Sequence, residues 1–210
     1  MTKLISLAVV LILSSASAAL AHHPLGGMTP QTIAEGLLSG IGHPVIGFDH
    51  LAFVIGVGLL AAFHKNRLLL PAMFVFGTIA GTLLTVSMVV LPLAEIVITL
   101  SVVGVGAFVM RGKVSDLRWS GGLALAAGLF HGGAYGAAVV GGEATPIIAY
   151  LVGFAGIQLA IAFGVAMITN HIWKAVDAGA LHPRLAGAII AGVGVTYLVE
   201  NVEGLIFAGV

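Results

Sequence analysis

The sequence predicts an all-α membrane protein in which six transmembrane helices follow a cleavable signal peptide. First, 60% of the 210 residues are hydrophobic and only 8% are charged, whereas a soluble domain is about one quarter charged. Second, the apolar residues form runs of about 20, the length that crosses about 30 Å of hydrocarbon. Third, the basic residues fall in alternate loops, as expected for a chain that crosses a membrane repeatedly.

The N-terminus has the organisation of a secretory signal peptide. Lys3 supplies the positive charge, residues 4–13 form the apolar core, and Ala19–Ala21 matches the small-residue pattern of a cleavage site. The alternative is an uncleaved anchor, which the short core and the small residues disfavour. We therefore divide the chain into a signal peptide, 1–21, and a six-helix transmembrane domain, 22–210.

A mixed segment, 25–41, precedes the first apolar run and predicts a short helix at the outer membrane surface. Thr29 and Pro30 match an N-cap followed by proline at the first helical position. The expected helix ends near His43 and Pro44.

Six hydrophobic segments follow, each close to the length of a transmembrane helix. They cover residues 44–63, 68–91, 93–110, 119–141, 146–170 and 185–208. The short loops between them predict antiparallel neighbours. Because three is an odd number, two sets of three spans would have opposite orientations, which predicts a 3+3 inverted repeat.

The charge distribution predicts the orientation in the membrane. Apart from Lys3, every basic residue lies in the first, third or fifth loop, namely Lys65, Arg67, Arg111, Lys113, Arg118, Lys174 and Arg184. The positive-inside rule places these loops in the cytoplasm. Both ends of the mature chain are then expected outside, in agreement with a cleaved signal peptide.

The composition excludes several classes of function. The chain has no cysteine, which excludes disulfides, thiolate metal sites and a cysteine nucleophile. Its formal net charge is zero, so bulk electrostatics give no case for nucleic-acid binding. The G-x-S-x-G and H-E-x-x-H motifs are absent from the sequence, and we do not predict an enzyme.

Ionisable residues gather at the start of the first span, where His43, Asp49 and His50 lie within eight residues. Such groups usually face a bundle interior or a water-filled path, and both imidazole and carboxylate can bind a divalent transition metal. On one continuous helix Asp49 would point about 100° away from His50. Pro44 and Gly47 predict a bend that brings the three together.

A second group of polar residues lies in the later spans. His131 is near the middle of the fourth span, between small residues. Acidic and histidine side chains on the outer side predict a vestibule that concentrates a divalent cation. The residues of this vestibule are His22, His23, Glu95, Glu143 and Glu200.

Simpler interpretations remain open for the single residues. Asp49 alone fits a carboxylate at a helix N-terminus. His43 alone fits an interfacial ring in contact with headgroups. His131 alone fits a neutral core histidine bonded to a helix carbonyl.

On these residues the chain resembles the HupE/UreJ family of nickel and cobalt permeases along essentially its whole length. The match is carried by His43-x5-Asp49-His50 and by Phe130-His131-Gly132-x-Ala134-x-Gly136. The resemblance implies a secondary permease of the bacterial inner membrane that takes up Ni²⁺ or Co²⁺ as cargo and holds no prosthetic group. It implies metal binding by His43, Asp49, His50 and His131.

The fourth-span motif departs from the family pattern. Family members often have a second histidine and a nearby glutamate, where this chain has Tyr135 and the pair Ala137-Ala138. Glu143 resembles the acidic position of a Gly-x-Glu-x-Thr-Pro stretch and joins the expected metal ligands. The further candidate ligands are His22, His23, Tyr135, Glu95 and Glu200.

Two functions remain open at this point, together with the choice between nickel and cobalt. The alternative to a permease is a non-transporting membrane accessory or metal-binding subunit for hydrogenase or urease maturation. The expected partners are a divalent metal ion and the lipid bilayer, and a homo-oligomer is compatible with both functions.

Overall fold

A computed structural model describes residues 28–207, which form seven α-helices and no strand. The helices are α1 Ile33–Ile46, α2 Phe48–Ala61, α3 Leu69–Val86, α4 Ala94–Met110, α5 Leu117–Ala137, α6 Ala144–Met167 and α7 Leu181–Phe207. A π-helical turn, Ile168–Ile172, continues α6. The all-α prediction is confirmed for this part of the chain. The predicted signal peptide, His22 and His23 lie outside the described residues.

Three of the described helices are long and apolar enough to cross a membrane, namely α3, α6 with its π-helical turn, and α7. The number rises to four if α1 and α2, which are bent by 80°, count as one span. Helix α4 is apolar but has only 17 residues, and α5 is rich in glycine and carries His131. Length and composition thus indicate a membrane protein with three or four spans, and six spans stay a prediction.

Helix α1 begins later than the sequence predicted. Its N-cap is Thr32 rather than Thr29. The Thr32 hydroxyl accepts the Glu35 N–H at 3.2 Å, and the Glu35 carboxylate accepts the Thr32 N–H at 3.2 Å. This reciprocal capping box satisfies two backbone donors, whereas a start at Thr29 would leave Glu35 too far along the helix to cap it.

Helix α1 packs along α6. Gly36 and Gly40 leave no room for a Cβ atom, because the carbonyl oxygens of Pro146 and Tyr150 occupy that space. Small residues allow helix backbones to approach this closely. The close contact with α6 buries His43 at the C-terminal end of α1.

The other helices form two further extensive pairs, α3 with α5 and α4 with α7. Glycines lie at both contacts, with Gly81 of α3 against the backbone of α5 and Gly106 of α4 against the backbone of α7. Helix α2 is mostly buried and packs on α4 and α6. Its central position places Asp49 and His50 inside the bundle.

The three basic loops lie at one end of the bundle. The Asn170 side chain donates a hydrogen bond to the Ala62 carbonyl at 3.0 Å, which joins the ends of α6 and α2. The Arg184 Nε donates to the Met110 carbonyl at 2.9 Å, which joins the start of α7 to the end of α4. We call this the basic end.

Candidate functional site

A sharp bend places two histidines next to each other. Helix α1 ends at Ile46, α2 begins at Phe48, and the two axes differ by 80°. The Gly47 N–H still donates to the His43 carbonyl at 3.1 Å. The bend predicted from Pro44 and Gly47 is therefore present, and the ring centroids of His43 and His50 lie 6.0 Å apart.

His50 meets His131 although 81 residues separate them in sequence. Their Nδ1 atoms are 2.8 Å apart, so one ring donates a proton and the other accepts it. Helices α2 and α5 are not among the extensive helix pairs, and the contact is made by the two side chains. The rings of Phe53 and Phe74 also lie against His131, with centroids 4.6 and 5.5 Å away.

Ser101 determines the positions of the protons in this pair. Its hydroxyl donates to the Ile98 carbonyl at 2.6 Å, and a carbonyl can only accept. The Ser101 Oγ, 2.9 Å from His131 Nε2, therefore accepts the Nε2–H of His131. His131 Nδ1 then accepts from His50 Nδ1–H, and in the neutral ring of His50 the electron pair is on Nε2.

Tyr150 determines the tautomer of His43 in the same way. Its hydroxyl donates to the Tyr135 carbonyl at 3.0 Å and lies 2.7 Å from His43 Nδ1. Because the hydroxyl has a single proton, His43 Nδ1 donates to Tyr150. Two buried histidines thus carry their electron pair on Nε2, the form in which imidazole binds metals.

Tyr135 and Asp49 complete the neighbourhood of the histidines. The Tyr135 ring lies edge-on to His43 and His50, with centroid distances of 4.8 and 4.7 Å. Asp49 is only 3% exposed, and its carboxylate accepts the backbone N–H of His50 at 2.8 Å. The interpretation of Asp49 as a carboxylate at a helix N-terminus therefore accounts for this hydrogen bond.

The predicted acidic ligands do not join the histidines. Glu143 is exposed at the N-cap of α6. Glu95 and Glu200 are exposed and line a different cavity of about 570 Å³ between the start of α4 and the end of α7. Within residues 28–207, no three His, Asp or Glu side chains are grouped so that they could hold a metal ion.

Sequence reasoning missed Ser101 and Tyr150 as site residues. Both are polar side chains within apolar helices, and that position is a signal of function in a membrane protein. Neither lies in the two histidine motifs, and only the packing of α4 and α6 brings them to His131 and His43.

Comparisons with known proteins place the chain in a family. The family model described as HupE / UreJ protein matches residues 9–197. Protein HupE of Rhizobium leguminosarum bv. viciae is 26% identical over 169 residues, which are 79% of this chain and 86% of that protein. No solved structure matches the chain.

Proposed function

Because this chain belongs to the HupE/UreJ family, we propose that it is a secondary permease that takes up Ni²⁺ or Co²⁺ across the bacterial inner membrane. The family is associated with nickel or cobalt uptake and with accessory functions for hydrogenase and urease. The observation that best supports transport is the convergence of three buried histidines, His43, His50 and His131, inside the helix bundle.

We place the permease in the membrane with six spans. The signal peptide 1–21 is removed, the basic end faces the cytoplasm, and both ends of the mature domain 22–210 lie outside. The common position of the three basic loops supports this orientation. The six spans form two inverted sets of three.

The proposed ligands of the ion are His43, Asp49, His50 and His131. The buried carboxylate of Asp49 offsets part of the charge of a dication, which is an important contribution where the dielectric constant is low. The Tyr135 ring lies edge-on to both His43 and His50. Both ring nitrogens of His131 are hydrogen-bonded, so His131 must release His50 or Ser101 before it can bind an ion.

The outer acidic and histidine residues act earlier on the path. Glu143, Glu95 and Glu200 are exposed, and their charge raises the local concentration of a cation outside the membrane. His22 and His23 contribute to the same vestibule at the start of the mature chain.

Uptake of radiolabelled nickel and cobalt into liposomes that contain the purified protein tests the function. We expect Asp49→Asn to lower uptake at least about tenfold, because the amide keeps the size and an acceptor oxygen but lacks the charge. The matched control is Glu35→Gln, in which the amide oxygen can still accept in the capping box. That variant should keep wild-type uptake.

Two results would contradict the proposal. Folded wild-type protein that moves neither ion would favour the accessory-subunit function. Normal uptake by well-inserted Asp49→Asn would remove Asp49 from the ligand set.

A further inference from the structure

Gln158 is a buried polar residue in the apolar helix α6, and its side chain is 1% exposed. Its Nε2 donates to the Phe154 carbonyl at 3.1 Å. This contact identifies the two ends of the amide, because only the nitrogen can donate to a carbonyl oxygen. The other end, Oε1, has no hydrogen-bond partner among residues 28–207.

An amide oxygen without a partner is costly at this position. Protein interiors rarely leave such an acceptor unsatisfied, and in a membrane each unsatisfied polar group lowers stability. A leucine would fill a similar volume without that loss. The unsatisfied oxygen therefore points to a ligand that Oε1 binds during the working cycle.

The position of Gln158 follows from the packing of α2 against α6. Gly58 of α2 meets the Ala162 backbone, and Ala62 meets Asn170 further along, so the two helices run parallel. Val54 and Gln158 each lie one helical turn before the Gly58–Ala162 contact, so they are at the same level of the bundle. It is thus about one turn beyond His50 in the direction of the basic end.

A second buried oxygen without a partner belongs to Tyr135, whose ring contacts the histidines. The Tyr135 hydroxyl is 0% exposed and has no hydrogen-bond partner within the described residues. The Tyr135 ring contacts both His50 and Phe154, with centroid distances of 4.7 and 5.4 Å. Phe154 in turn accepts the hydrogen bond that orients Gln158.

The other space beside the histidines is poorly suited to a cation. A cavity of about 380 Å³ borders Ser101 and Phe53, and its lining is almost entirely apolar, with Val57, Phe108 and Trp119 among its residues. No charged side chain lines it. Gln158 Oε1 therefore forms the more suitable continuation of the ion path.

We propose that Gln158 Oε1 and Tyr135 Oη are cation ligands, Tyr135 at the histidines and Gln158 one turn beyond them, where it receives the divalent ion on its way to the basic end. This inference rests on the proposed function, since it takes the same ion as cargo. Amide and hydroxyl oxygens are established ligands of divalent cations. Because both are neutral, they hold the ion more weakly than Asp49 does, and weak binding permits release.

The test combines three measurements on Gln158→Leu. Calorimetry in detergent with Ni²⁺ should lose a second, weaker binding event, and liposome uptake should fall about tenfold. The thermal unfolding midpoint should rise, because the unsatisfied oxygen is gone. A residue with only a structural role would lower the midpoint when it is replaced.

The matched control is Thr169→Val, in the π-helical turn that continues α6. Thr169 is also buried, but its hydroxyl donates to the Val165 carbonyl at 2.8 Å. This variant should keep the affinity and the uptake of the wild type. Tyr135→Phe is a second variant, and it should weaken Ni²⁺ binding without a loss of thermal stability.

The outcomes separate this inference from the proposed function. A second binding event that persists in Gln158→Leu, or a lower unfolding midpoint together with its loss, would overturn the role of Gln158. Wild-type protein that binds Ni²⁺ but moves none would end the permease proposal, and the calorimetry would still decide the role of Gln158. Wild-type protein that binds no divalent metal would overturn both.

Discussion

At the scale of single residues, two hydroxyl groups control the protonation of three histidines. Ser101 and Tyr150 each donate to a backbone carbonyl, so each must accept from the imidazole beside it. Proton transfer along this chain of bonds would require a hydroxyl to give up its carbonyl partner. Partners of this kind orient metal-binding histidines in proteins and set which nitrogen is available.

Replacement of Ser101 by alanine tests this control. We expect Ser101→Ala to lower metal uptake about tenfold, because His131 loses the acceptor that holds its Nε2–H. The free energy of unfolding should fall by about 1 kcal/mol. Liposome uptake and chemical unfolding provide the two measurements.

Ser120→Ala is the control for this variant. Ser120 lines the same apolar cavity as Ser101 but lies on α5, about three turns before His131. Equal losses of uptake in the two variants would show that the cavity, and not the bond to His131, is responsible.

At the scale of secondary-structure elements, glycine contacts between α3 and α5 determine the depth of His131. A Cβ atom on Gly132 would overlap the Thr78 backbone, and one on Gly81 would overlap the Leu129 backbone. Thr82 adds a hydrogen bond to the Gly132 carbonyl at 2.9 Å. Since His131 directly precedes Gly132, the approach of the two helices positions its ring.

The pair Gly132→Ala and Gly122→Ala tests the helix contact, and both substitutions lie in α5. Gly132→Ala should lower the free energy of unfolding by about 1 to 3 kcal/mol and reduce uptake, because it separates α3 from α5. Gly122 has no atom within 4 Å of an added Cβ. Gly122→Ala should therefore leave stability unchanged or raise it by up to about 1 kcal/mol.

Thermal or chemical unfolding in detergent, followed by metal uptake in liposomes, measures both effects. A Gly132→Ala variant as stable and active as Gly122→Ala would contradict the close packing of α3 and α5.

At the scale of the whole molecule, the basic end and the opposite end define a direction across the membrane. The chain has no cysteine, so single cysteines can be introduced without further changes. Lys65→Cys, Lys113→Cys and Lys174→Cys should all be protected from an impermeant maleimide in intact cells. Met88→Cys and Glu143→Cys should react, because the opposite end faces outside under the positive-inside rule.

Reaction after the cells are opened serves as the control for these cysteines. A protected Glu143→Cys that becomes reactive only in opened cells would contradict the proposed orientation. Mixed reactivity among the three basic loops would contradict six spans.

The sequence by itself determined the helical class, the alternation of basic loops and the bend between α1 and α2. These features depend on local properties, namely hydropathy, the positions of Lys and Arg, and the pair Pro44 and Gly47. The resemblance to the HupE/UreJ family was confirmed. It could be drawn from the sequence because the two short motifs that carry it are themselves local patterns.

Only the tertiary structure decided which side chains meet. The resemblance implied that His50 and His131 bind the same ion, but the sequence did not predict their hydrogen bond, or the contacts of Ser101 with His131 and of Tyr150 with His43. It grouped Glu143 with the histidines, whereas the structure leaves Glu143 exposed at a helix end. Contacts between residues far apart in sequence depend on which helices pack together and on how each helix is rotated about its axis. Small residues such as Gly81 and Gly132 determine this packing. Hydropathy does not identify the helix that each of these glycines contacts.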